Sequence, residues 1–132
     1  MRFEIRGRFY GDKTFPSLND LLRTYGANPK KGSRMKLDYE LYALNAIRTQ
    51  IRGYKAEHPI IIHYEFYEPS RGQKRDVMNV FSFADKVIED ALVKAKVISD
   101  DNPLFVINTT HEFHFTEEVP YIAVTIEEVY NS

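Results

Sequence analysis

The residues best equipped for chemistry lie between Lys74 and Asp101, a stretch that reads KRDVMNVFSFADKVIEDALVKAKVISDD. Carboxylates flank it, with Asp76 near the start, Asp100 and Asp101 at the end, and Lys86 and Asp90 between. Hard cations such as Mg²⁺ take oxygen ligands of this kind, and Mg²⁺ can polarise a phosphate oxygen and generate hydroxide near neutral pH. Arg71, Lys74 and Arg75 stand directly before the first acid, where a protein would hold the flanking phosphates. The same residues also suit a plainer role. Asp76 and Asn79 are good helix-start residues, and Asp100-Asp101 is good turn sequence.

Elements must position these groups. Residues 2–10 alternate, with Phe3, Ile5 and Phe9 on one side and Arg2, Glu4, Arg6, Arg8 and Tyr10 on the other, which predicts a half-buried strand. Residues 11–36 read as loop-rich, with a short helix over 17–25 and a polar segment over 26–34. Leu37, Leu41, Leu44, Ile47 and Ile51 recur at helical spacing and predict a helix over 35–52, ended by Gly53. A second strand runs from Pro59 through Glu68, and a polar turn over 69–74 leads to a helix from about Asn79 to Ala95. That helix carries the apolar stripe Val80, Ala84, Val87, Ile88, Ala91, Leu92 and Ala95. A turn at 100–103 precedes strands at about 104–110 and 121–129, with a bend near Glu117 to Pro120. The order is β-α-β-α-β-β, an α+β fold with two helices packed on one face of a small mixed sheet.

With 132 residues the chain has room for one domain, and it is large enough to fold without staples. It contains no cysteine, which excludes disulfides, thiol catalysis and thiolate metal sites. No apolar stretch approaches bilayer-spanning length and charges interrupt the start, so the expected location is the cytoplasm, with no membrane partner. The formal net charge of −1 argues against a polyanion partner until it is resolved along the chain. Residues 1–96 hold all 18 basic and 12 acidic residues, a balance of +6, whereas residues 97–132 hold seven acids and no Lys or Arg. One part is suited to anions and the other repels them, unless the acids only solubilise exposed strands.

The stretch resembles the signature of the RusA-like endodeoxyribonucleases, the phage-type Holliday junction resolvases. Their pattern opens Arg-Asp-x-Asp-Asn, continues through a helix with Lys and then Asp-Ala-Leu, and closes with a Gly-Val-Ile-like turn ending in Asp. Here it reads Arg75-Asp76-Val77-Met78-Asn79, then Lys86, then Asp90-Ala91-Leu92, then Val97-Ile98-Ser99-Asp100-Asp101. Phe15-Pro16-Ser17-Leu18-Asn19 is similar to the family's Pro-Ser-x-Asn element, and Arg34-Met35-Lys36 stands where a basic pair is usual. The resemblance implies a homodimeric, Mg²⁺-dependent endonuclease (Mn²⁺ being the alternative ion) that acts on four-way DNA junctions in recombination and repair. By position, Asp76 and Asp101 match metal-binding, catalytic carboxylates, Asp100 assists, and Lys86 matches a catalytic lysine. Asn79 and Asp90 take supporting roles. Asn19, Lys30, Lys31, Arg34, Lys36, Arg71, Lys74 and Arg75 are the expected DNA contacts, with Lys30, Lys31, Arg34 and Lys36 on a flexible basic loop that would track a phosphate backbone.

Two positions depart from the pattern. Met78 occupies the place of the second Asp, and a soft, neutral thioether is a poor partner for a hard dication. The alternative function is therefore a junction-binding protein with impaired catalysis. Lys96 replaces the glycine that usually follows the helix, at a cost of roughly 1 kcal/mol if its φ is positive. A helix of ~17 residues is ~25 Å long. Asp76 and Asp101 can therefore share an ion only if the chain doubles back along the helix, or if a two-fold dimer sets one helix start beside the other's end. The second is the expectation. Tyr25 and Phe15 are candidates to wedge into an open junction, although most of the nine Tyr and nine Phe belong in a core. His111 and His114 should point to opposite faces of a strand, which argues against their acting as a metal pair. His63, alternating with Glu65, is expected to be a satisfied or exposed histidine.

Overall fold

The computed structural model describes residues 1–6 and 14–130. Seven elements follow one another: β1 (Arg2–Arg6), α1 (Leu18–Ala27), α2 (Pro29–Gln50), β2 (Ile60–Pro69), α3 (Val77–Lys94), β3 (Val106–Thr116) and β4 (Tyr121–Glu128). The class is α+β as expected, but the order is β-α-α-β-α-β-β, with three helices rather than two. Residues 7–10 of the expected first strand lie outside the described residues.

The four strands lie in the order β1-β4-β2-β3. β4 pairs antiparallel with both β1 and β2, while β2 and β3 run parallel and are joined through α3. Period-two patterning puts one face of this sheet in the core. Phe3, Ile62, Tyr64, Phe66, Val124 and Ile126 are buried there, against Ala43, Leu44 and Ile47 of α2 and Val80, Phe83, Ala84, Val87, Ile88, Ala91 and Leu92 of α3. The stripe read on α3 is therefore its core face, with Phe83 added. α1 has no buried residue and lies on α2 and α3.

The main departure is the start of α2. The segment over 26–34, read as loop because of its Gly, Ser and Lys content, is largely helical. Asn28 caps it, its side chain accepting from the backbone N–H groups of Lys30 (3.0 Å) and Lys31 (3.4 Å), and Pro29 takes the first helical position. Gly32 is buried under Tyr25, and any Cβ there would collide with that ring. The glycine thus serves the close approach of two helices and is not a loop signal. The expected apolar stripe of α2 is also only half used. Leu37 and Leu41 are 57% and 52% exposed, and Glu40 takes a buried position, paired with Lys94 at 3.0 Å. α1 starts at a capping box in which Ser17 and Asp20 satisfy each other's backbone N–H groups, an arrangement that contributes about 1 kcal/mol.

α3 ends in the motif that glycine usually makes. Val97 N–H donates to the Leu92 carbonyl (2.9 Å) and Lys96 N–H to that of Val93 (3.0 Å), with Lys96 at φ 61°. The departure at Lys96 is thus a real left-handed residue. No helix among the described residues is long and apolar enough to cross a membrane.

Candidate metal and phosphate site

The topology decides where the acids fall. Because β2 and β3 are parallel, α3 must run back across the sheet, so Asp76 sits where β2 leaves the sheet and Asp100-Asp101 where the chain approaches β3. The turn after α3 does double back, but only part of the way. Lys86 Nζ lies 3.3 Å from Asp90 Oδ1 and 3.9 Å from Asp101 Oδ2. Asp76 is a further ten residues towards the helix start, ~15 Å along the axis. Within one chain, then, Asp101, Asp90 and Lys86 come together and Asp76 does not join them.

Asp76 is the N-cap of α3. Its Oδ1 accepts from the backbone N–H groups of Met78 (3.0 Å) and Asn79 (3.2 Å), the helix-start role that its residue type allowed. Met78 is 54% exposed in the first turn. Asp100 shapes its own turn, with Oδ1 accepting from Asp101 N–H at 2.7 Å and Oδ2 from Asn102 Nδ2 at 3.1 Å. The first of these bonds holds its carboxyl below the usual range and so keeps it ionised. Lys86 is held cationic to higher pH, chiefly by the charge of Asp90.

Sequence reasoning missed two further carboxyls, Asp85 and Glu89, one helical turn apart on α3. The buried Tyr64 hydroxyl donates to Asp85 Oδ1 at 2.7 Å. Burial, reinforced by the hydrogen bond and charge of Asp85 and by the charge of Asp101, pushes Glu89 up to about 9. Glu89 is therefore protonated at neutral pH and donates to Asp85. The i, i+4 spacing on the polar side of the stripe was the available signal. The groups gathered around Lys86 offer carboxylate oxygens, although among the described residues the group whose donor atoms all lie within 4.8 Å of one another is a different one, Glu65, Glu112 and His114. Oxygen donors are the ligand type that a hard divalent cation takes.

A cavity of about 550 Å³ opens beside this cluster, between α2 and the end of α3. Asp90, Asp100 and Asp101 line one side, and Lys36, Lys94 and Leu37 contribute to the rest. Of the expected DNA contacts, Lys36 is thus brought to the acids. Lys30 and Lys31 are exposed on the first turn of α2, a rigid helix rather than the flexible loop expected, and Arg34 pairs with Asp38 at 3.0 Å. Asn19 is exposed on α1. Arg71 and Lys74 lie in the 69–75 loop, where the Lys74 ammonium donates to the carbonyls of Pro69 (3.1 Å) and Ser70 (2.6 Å). Arg75 turns inward. Its guanidinium grips buried Glu68 at 2.8 and 2.9 Å and the Phe15 carbonyl at 2.8 Å, bonds that it would have to break to reach a phosphate. Phe15 is buried against Tyr39 and Phe83, and Tyr25 packs on Gly32, so neither ring is presented as a wedge.

The histidines fall as expected. His111 packs on Phe81 on the helix side of the sheet, and His114 stacks on Tyr67 on the other. His63 is satisfied on both nitrogens, by Thr110 at 2.6 Å and Glu127 at 2.8 Å. No sequence model of a known family matches the chain, and no curated protein matches it either.

Proposed function

We propose that the chain is a RusA-like, Mg²⁺-dependent endonuclease for four-way DNA junctions. The observation that carries this reading is the Lys86–Asp90–Asp101 cluster at a cavity that also holds Asp100, Lys36 and Lys94. Asp101 and Asp100, with Asp76 of a second copy, would hold the metal. When bound, it would supply an activated water and charge neutralisation at a phosphate. Lys86, kept protonated by Asp90, offsets negative charge on the reacting phosphate and does not act as a base. Lys36 holds a flanking phosphate, and the exposed Lys30 and Lys31 offer further phosphate contacts at the start of α2. A homodimer is part of this reading. Leu37 lines the cavity and Leu41 lies one turn beyond it, leaving apolar surface beside the site for a second copy to cover.

A second reading rests on Met78. With a thioether at the helix start and Asp76 engaged as a cap, the protein would bind junctions without cutting them. A labelled four-way junction incubated with and without Mg²⁺, beside the Met78→Asp variant, separates the two. Metal-dependent cleavage by the natural chain supports the nuclease. Salt-sensitive binding without cleavage, with cutting restored by Met78→Asp, supports the binding protein. Absence of any junction affinity would overturn both.

A further inference from the structure

We propose that Glu65, Glu112 and His114 form a second, separate metal site, for a transition ion of the Zn²⁺ type, on the sheet face opposite the helices. Parallel pairing of β2 and β3 sets Glu65 beside Glu112 and Tyr67 beside His114, two successive rungs of one face. Their donor atoms all lie within 4.8 Å of one another. His114 Nε2 is 3.2 Å from Glu65 Oε2 and 3.5 Å from Glu112 Oε2. A tetrahedral ion with bonds of about 2.0–2.1 Å requires donors roughly 3.3 Å apart, and these two separations bracket that value.

The imidazole nitrogen is the second, independent observation. The His114 ring is 39% exposed as a whole, yet its Nε2 is shut off from solvent and has no hydrogen-bond partner among the described residues. It stands close to two carboxylates and makes a hydrogen bond to neither. An ion between the three donors would satisfy it. His63, two rungs away, shows the contrast, since both of its nitrogens are taken. Tyr67 braces the arrangement. Its hydroxyl donates to Glu65 Oε2 at 3.1 Å, and its ring stacks on His114 with centroids 4.8 Å apart, the kind of outer contact that orients metal ligands. The ring is in turn stacked on Tyr121 at 4.3 Å. One nitrogen and two carboxylates suit Zn²⁺ better than Mg²⁺, and three protein donors leave a fourth position open.

The test is equilibrium dialysis and calorimetry of the tag-free chain with Zn²⁺, together with the visible spectrum of the Co²⁺-loaded protein. The expected result is one equivalent of Zn²⁺ and a tetrahedral Co²⁺ spectrum. Affinity should fall at least tenfold in Glu112→Gln and in His114→Gln and stay unchanged in Asp101→Asn, with an excess of Mg²⁺ failing to compete. Glu112 is 72% exposed, so its variant keeps the fold and decides the matter if His114→Gln does not. Failure to bind Zn²⁺, or binding lost in Asp101→Asn and retained in Glu112→Gln, would overturn the proposal. Neither result bears on junction cleavage.

Discussion

At the scale of single residues, the most informative group is Glu89. Burial comes first, and the adjoining Asp85 second, in holding its proton to about 9. The folded state therefore carries a proton that the unfolded chain releases near the ordinary carboxylate value. A group raised in this way contributes stability that is complete below the unfolded pKa and is lost as pH climbs through the folded one. Urea midpoints should accordingly decline between about pH 4.5 and 9. Glu89→Gln keeps the donor to Asp85 without the titration and should flatten that slope, as midpoints measured across the range will check; an unaltered slope would place the titrating group elsewhere. The pair escaped sequence reading because nothing in the string marks Glu89 as buried.

At the scale of elements, β1, β2, β4 and α3 were legible because each has one face in the core, so that periods of two and 3.6 are written into the residue types, whereas β3, with no buried residue, runs on to Thr116, past the 104–110 read for it. Phe3 and Ile5, and Val80 through Leu92, are the proof. The start of α2 was not legible, because Gly32 and Ser33 carry no pattern of their own and only the Tyr25 ring explains the glycine. For the same reason Leu37 and Leu41 looked like core and are not. The site was legible in part. Lys86, Asp90 and Asp101 come together and Asp100 and Lys36 line the adjoining cavity, while Asp76 and Arg75 are engaged in capping and in the Glu68 pair. The helix end offers a prediction at this scale. Lys96 occupies a left-handed position that costs a side-chain residue about 1 kcal/mol, so Lys96→Gly should raise the unfolding free energy by about that amount in urea titration. A loss of stability would mean that the lysine side chain makes up for its backbone.

At the scale of the whole molecule, the near-neutral total hides a sorted distribution. Lys30 and Lys31 are exposed at the start of α2 and Lys36 lines the cavity, whereas Glu65, Glu112 and Glu127 belong to the sheet face away from the helices. Under the proposed function, DNA meets the helical side and the acidic face turns away from it. The parallel pairing of β2 and β3 then has a genetic consequence. If each active centre takes Asp76 from one copy and Asp101 from the other, two inactive variants can rescue each other. Asp76→Asn and Asp101→Asn, unfolded and refolded together in equal amounts, would form mixed pairs in about half of the dimers, each with one intact centre and one doubly damaged, and so recover about a quarter of the cleavage rate. A centre built within one chain would recover nothing. Complementation between dead alleles is thus the trait by which a crossover helix, and the distance it puts between two aspartates, would show itself in a cell.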